Sequence, residues 1–249
     1  MFGVAMLLKV ASSIPRAEQI RKPPIDVTAY NPADTRTLIN ACESDRDRAF
    51  VFLGFHGGLR RGEVIGVKGE DIETRPDGVT LLHVTRSVWD RAPEGGVSGV
   101  IKHPKGGKGR TITLTPEAAT ALLAHRASLA DPRGWLFPAP VRERRNKSTE
   151  KMEVMPTRVD PHGVPLPVES SAYTRVIERL CKSTGVKLMA GHTTHGLRKT
   201  AATALAKGGA SAWQIADHLG HSGIGMVKYY VDRENAANPK SASMIAGYA

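Results

Sequence analysis

Hydrophobic positions recur at helical spacing along most of this chain, and the breaks between them carry recognisable caps. Asn31-Pro32-Ala33-Asp34 combines a capping amide, a proline at the first helical position and an acid in the first turn, which predicts a helix from there to about Cys42. Residues 45–56 are mostly apolar and predict a second helix, stopped by Gly57-Gly58, with a short third from Arg61 to about Val67. Thr115-Pro116 opens another, to about Leu129. Tyr173, Val176, Ile177, Leu180 and Cys181 fall at i, i+3, i+4, i+7 and i+8, one face of an amphipathic helix. Thr193 or Thr194 can cap a helix that starts near His195 and ends at Gly208-Gly209. Ser211-Ala212-Trp213-Gln214 is a capping box whose helix Gly220 closes, and a last helix carries Met226 to Tyr230.

Strand signals are few. Residues 79–86 follow the Pro76-Asp77-Gly78 turn and are rich in Val, Leu and Thr. Residues 99–103 and 110–114 read as two more strands, joined by the glycine-rich turn at 105–109. The expected fold class is therefore mainly α with one small antiparallel β-sheet, an α+β chain. Residues 131–169 show little periodicity and read as a long loop, with Arg142, Arg144, Arg145 and Lys147 as a basic cluster within it.

Composition narrows the partner. Lys and Arg number 35 against 24 Asp and Glu, a net charge of +11 on 249 residues, which points first to nucleic acid. The 41% hydrophobic content suffices for a substantial core. Cys42 and Cys181 are far apart and form no CxxC pair, so neither a zinc ribbon nor a disulfide framework is expected. No apolar run approaches the length of a membrane span, so no membrane partner is expected. The apolar opening, residues 1–8, has no basic stretch before it and ends at Lys9, which argues against a signal peptide.

Three short segments carry the chemistry. In Gly58-Leu59-Arg60-Arg61-Gly62-Glu63, Arg60 and Glu63 share a helical face, and a guanidinium held by an acid keeps its fork aimed for phosphate. His195 and Arg198 share the first turn of their helix, where free N–H groups and the dipole favour an anion. Leu219-Gly220-His221 is followed nine positions later by Tyr230, whose hydroxyl needs a base or nearby positive charge to act as a nucleophile near pH 7. Taken singly, each segment reads better as a surface ion pair, a capping histidine or a core tyrosine. His192, His195 and His221 come with no carboxylate motif that would make them a metal site.

The ordered set is far more specific than its parts. Gly-Leu-Arg-x-x-Glu, a lysine-bearing turn between strands, His-x-Leu-Arg, Leu-Gly-His and a tyrosine nine residues on resemble the tyrosine recombinases of the phage-integrase type, over about residues 26–235. The resemblance implies a catalytic domain at 26–235. It makes residues 1–25 a linker or the remnant of an N-terminal DNA-binding domain, and 236–249 a tail able to dock on a neighbouring subunit. Its implied catalytic set is Arg60, Lys105, His195, Arg198, His221 and Tyr230, with Glu63 in support, and Lys102, Lys108, Arg110 and Lys199 as DNA contacts. Lys102 or Lys108 could take the role of Lys105, and only the spacing from His221 selects Tyr230 over Tyr229. Lys199 stands where many members have His, and Gly69 where many have an aromatic residue.

The implied activity is site-specific strand cleavage and rejoining through a 3′-phosphotyrosine, without metal, ATP or other cofactor. The implied partners are double-stranded DNA, further copies of the chain in a homotetramer, and accessory DNA-bending or directionality proteins. The implied setting is the bacterial cytoplasm and nucleoid, with the gene carried by a phage, prophage or mobile element. Two other functions fit the same residues: DNA relaxation of the type IB topoisomerase kind, and DNA binding without catalysis on the same scaffold.

Overall fold

The computed structural model describes residues 29–90, 99–105, 107–145, 150, 152–156, 158–160, 162–189, 193–225, 227 and 230. Seven α-helices are defined among them: α1 (Pro32–Asn40), α2 (Asp45–Phe55), α3 (Arg61–Ile65), α4 (Pro116–Ala127), α5 (Ser170–Thr184), α6 (Thr193–Lys207) and α7 (Ala212–Leu219). Local chemistry sets their ends. Asn31 Oδ1 accepts from the Asp34 N–H at 2.8 Å, Ser44 from that of Asp47, and Thr115 from that of Ala118. Ser211 and Gln214 form the expected capping box, and Gly220 ends α7 in the left-handed region at φ +65°.

Seven short strands lie between the helices: β1 (Ile72–Thr74), β2 (Thr80–Val84), β3 (Ser87–Trp89), β4 (Val100–Lys102), β5 (Arg110–Thr113), β6 (Val141–Arg145) and β7 (Met152–Pro156). They form not one sheet but three small antiparallel sheets, β1-β2-β5, β3-β4 and β6-β7. The strands flanking the glycine-rich turn, β4 and β5, pair with β3 and β2 instead of with each other. Val84 faces Arg110 and Ser87 faces Lys102, so the two ladders continue one another as a single interrupted hairpin. Thr85 and Arg86 lie between the two registers on one side, and on the other the excursion from Lys102 to Arg110 carries Lys105 and Lys108.

The described residues between 131 and 169 also hold more structure than a loop. Beyond the β6–β7 ladder, Leu136 N–H donates to the Val67 carbonyl and Val168 N–H to that of Phe137. Leu136 and Phe137 are fully buried. The ring of Phe137 stacks on Phe50 at 3.7 Å between centroids, and Phe50 stacks on Tyr173 at 5.4 Å. This aromatic stack joins the 131–169 segment to α2 and α5 at the centre of the main core. A second, smaller cluster sits apart, built from Ala201, Ala202 and Ala206 of α6, Ile215, Ala216 and Leu219 of α7, and Val227, with Tyr230 packed against it. Among the described residues, no helix is long and apolar enough to cross a membrane. The expected terminal segments, 1–25 and 236–249, and Tyr229 lie outside the described residues, as do the side chains of the basic cluster at 142–147.

Candidate active site

The last carbonyls of α7 organise the site. The groups of His218, Leu219 and Gly220 close no further turn of helix, and each accepts from a different arginine. Arg110 Nε donates to His218 O at 2.8 Å, Arg198 Nη2 to Leu219 O at 2.7 Å, and Arg60 Nη2 to Gly220 O at 3.0 Å. The negative end of the helix dipole favours the cations gathered there. Arg198 is also held from the other side, Nη1 donating to the carbonyl of Gly58. Gly58 sits at φ +57°, and a Cβ on it would fall 2.4 Å from Leu219 Cδ2. The glycine break after α2 thus both admits the end of α7 and presents a carbonyl to Arg198.

Glu63 is the buried counter-charge. It is 0% exposed, accepts from Arg60 Nη1 at 2.8 Å and from the Arg60 backbone N–H at 3.0 Å, and takes Arg110 Nη2 at 2.8 Å on Oε2. Burial alone would raise its pKa; the Arg110 bond and charge, then those of Arg60, outweigh burial and hold the carboxyl below its usual range. Two guanidiniums pair with this carboxylate and a third, Arg198, lies nearby, so the group carries two net positive charges. Burial, reinforced by Arg60 and Arg110, pushes the Arg198 guanidinium down to about 9, still well above neutral pH, so it stays charged.

His221 follows Gly220 directly, with its Nε2 3.0 Å from Arg198 Nη2. An arginine only donates, so Nε2 accepts and the neutral ring carries its proton on Nδ1. Partial burial and then the charges of Arg198, Arg60, Arg110 and His195 push the His221 pKa down to about 4. His195 lies in the first turn of α6 with its side chain exposed, close enough to act on His221. Tyr230 is half-buried against the small cluster and near enough for its charge to be felt at Arg198. Arg60, Glu63, His195, Arg198, His221 and Tyr230 are therefore drawn together from segments up to 170 residues apart.

The expected DNA contacts divide. Lys108 is exposed on the 103–109 excursion beside Lys105 of the expected catalytic set, also exposed, and Lys199 is half-buried one residue after Arg198. The excursion ends at Arg110, so Lys105 leaves from a clamped residue five positions away, within about 18 Å of chain. Lys102 is exposed on β4, with Nζ 4.3 Å from the centre of the Trp89 ring. Arg110 departs from the expectation: its side chain is only 6% exposed, and it turns inward to Glu63 and His218 instead of outward to a duplex. An apolar hollow of about 990 Å³ between α1, α2, α4 and α6, lined by Phe52 and Phe55 among others, contains none of the arginine cluster.

Missed from the sequence were the roles of Gly58, Gly220 and His218, which act through backbone carbonyls. The left-handed glycines at the two helix ends were the available signal. His218 Nε2 additionally donates to His56 O at 2.9 Å, pinning the end of α7 to the end of α2.

The chain is similar to tyrosine recombinase XerA of Pyrococcus furiosus, 27% identical over 231 residues, covering 91% of this chain but 65% of the relative. It thus spans just under two thirds of that curated protein. A crystal structure of XerA recombinase superposes with TM-score 0.57 at 20% identity, over 91% of this chain and 66% of that one. The Tn1549 transposon integrase in complex with circular intermediate DNA gives 0.59 at 18% identity, over 92% and 68%. The catalytic domain of bacteriophage HP1 integrase gives 0.52 at 17%, over 89% and 94%. The Phage integrase family matches residues 30–236, most of the chain, and this protein belongs to that family.

Proposed function

We propose that this chain is the catalytic part of a site-specific tyrosine recombinase, cutting and rejoining double-stranded DNA through a 3′-phosphotyrosine at Tyr230. The observation that carries this reading is the convergence of Arg60, Arg198 and His221 on the end of α7 beside Tyr230. A scissile phosphate between the two guanidiniums would meet fixed donors without reorganisation as charge builds on its non-bridging oxygens. The neutral His221 has its Nδ1–H left to donate to the same group. Tyr230 Oη attacks phosphorus, forming the Oη–P bond as the P–O5′ bond breaks. His195 takes the phenolic proton, and Lys105 delivers a proton to the departing 5′-oxygen. The nearby guanidinium charge favours negative charge building on the phenol oxygen. Rejoining runs the same steps backwards, and the energy of the broken bond stays in the phosphotyrosine link.

Lys102, Lys108 and Lys199 contact the duplex backbone in this reading, and affinity falls steeply with salt. Assembly is a homotetramer on DNA, with the residues after 235 docking on the neighbouring copy and accessory proteins bending the site. The DNA-bound Tn1549 relative lends support to the duplex as partner. The test is a nicked suicide duplex that releases the short 5′-hydroxyl strand after cleavage. A covalent protein–DNA band is expected with the unaltered chain and not with Tyr230→Phe. A two-site recombination assay run beside supercoil relaxation separates recombinase from topoisomerase. No adduct across a pool of duplex sequences overturns the reading.

A further inference from the structure

Arg110 opens β5, and its side chain reaches away from the solvent-exposed lysines that precede it. We propose that Arg110 is a positioning residue for strand cleavage, a brace that fixes Glu63 and the end of α7 while never touching DNA; this rests on the recombinase reading of the site. Its two bonded directions join parts of the chain remote from it and from each other. Nη2 holds Glu63, 47 residues away, and Nε holds the His218 carbonyl, 108 residues away. Glu63 in turn grips both the backbone and the side chain of Arg60. The end of α7 in turn grips Arg60 through Gly220 and Arg198 through Leu219. Each of the two phosphate-facing guanidiniums thus depends on Arg110 through one intermediate group.

The third direction argues the same way. Arg110 Nη1 is buried and has no hydrogen-bond partner among the described residues. Such a donor costs stability, so the residue is poorly explained as a mere filler of the interior. A Cβ on Gly220 would fall 2.8 Å from Nη1 and 3.2 Å from Cδ and Cζ, so the guanidinium lies directly against that glycine. Residue 220 therefore needs to be glycine twice over, for its φ of +65° and for the space Arg110 fills. A lysine at 110 would supply the charge for Glu63, but a single ammonium lacks the planar fork that spans two fixed acceptors.

The test compares the full chain with Arg110→Lys and Arg110→Ala in three measurements. The first is the salt dependence of binding to a fluorescein-labelled duplex. A brace leaves the slope of log K against log salt unchanged, whereas an arginine on a phosphate contributes about 0.9 to it. The second is single-turnover adduct formation on the suicide duplex at saturating protein. The rate is expected to fall about 100-fold for the alanine and about 10-fold for the lysine, the scale of lost transition-state donors, with half-saturation unchanged. The third needs no DNA: the titration of the His221 ring by NMR, which faces Arg198, Arg60, Arg110 and His195. Its pKa is expected to rise in Arg110→Ala, with the lysine closer to the unaltered chain.

A slope reduced by about 0.9 with an unchanged saturated rate overturns the brace and returns Arg110 to the duplex. An unchanged His221 titration in a folded variant overturns it independently. Should the alanine variant fail to fold, the lysine variant decides alone. Absence of any adduct with the unaltered chain defeats the recombinase reading, while the His221 titration still judges the brace.

Discussion

The two hydrophobic clusters among the described residues are held by different forces. The larger one is packed with rings and branched side chains, and the stack of Phe137 on Phe50 and Phe50 on Tyr173 lies at its centre. The smaller one, which supports Tyr230, is mostly alanine, with Ile215, Leu219 and Val227 its larger buried members. Alanine methyls bury little area, so hydrophobic burial stabilises the second cluster far less than the first. Polar bonds supply what packing does not: three arginines and His218 tie the end of α7 to the segment of His56, Gly58, Arg60 and Glu63. The large core sets the fold, and the arginine bonds set where Arg60, Arg198 and His221 lie relative to Tyr230.

This contrast can be broken from either side. Phe50→Ala is expected to cost about 3–5 kcal/mol in denaturant unfolding, while the folded fraction keeps its adduct rate. Arg198→Ala should do the reverse in kind. It strips the donors from the Gly58 and Leu219 carbonyls and is expected to cut single-turnover adduct formation about 10²–10³-fold, or about 2.7–4 kcal/mol of transition-state stabilisation. A Phe50→Ala variant that lost cleavage per folded molecule would show that the two clusters are not separable.

Acid sharpens the comparison further. The folded His221 pKa of about 4 lies below the ordinary histidine value of 6.5, so the unfolded chain binds the proton more readily. The stability tied to neutral His221 is fully present above 6.5 and is lost as pH falls from there towards 4. Glu63, also depressed, adds a loss that begins lower, as pH drops through 4.5. Melting temperature followed from pH 7 to pH 4 should fall, and His221→Gln should lessen the upper part of that fall, which His56, His125 and His218, also held low by burial, share. A curve identical in both proteins contradicts the assignment.

The smallest expected effect is in the large core. The Tyr173 hydroxyl is buried without a hydrogen-bond partner among the described residues, and a Cβ on Gly54 would lie 1.9 Å from it. Tyr173→Phe removes a donor that has nothing to bond and is expected to be neutral or stabilising by about 1 kcal/mol in chemical denaturation. A marked loss would mean that the hydroxyl has a partner.

Legibility followed the range of the interactions. Caps are local, and Asn31, Thr115, Ser211 and Gly220 marked their helix ends from sequence alone. The spacing of Arg60, Arg198, His221 and Tyr230 was legible as an ordered set, although no single segment was. The β6–β7 ladder was hidden because Val141–Arg145 is mostly charged and offers no alternation of apolar and polar positions. The break between the β2–β5 and β3–β4 ladders was hidden because pairing partners are not written in either strand. Arg110 looked like its lysine neighbours because nothing local distinguishes a cation turned inward; its acceptors lie 47 and 108 residues away. Long-range polar contacts are the part of this site that only folding reveals.

The most direct measurement is peptide mapping of the trapped protein–DNA adduct by mass spectrometry after nuclease trimming. The expected result is one nucleotide 3′-phosphate esterified to Tyr230, at His221 plus nine. An adduct on Tyr229, on any other side chain, or through a 5′-phosphate would contradict the arrangement of two arginines, a neutral histidine and that phenol around one phosphorus.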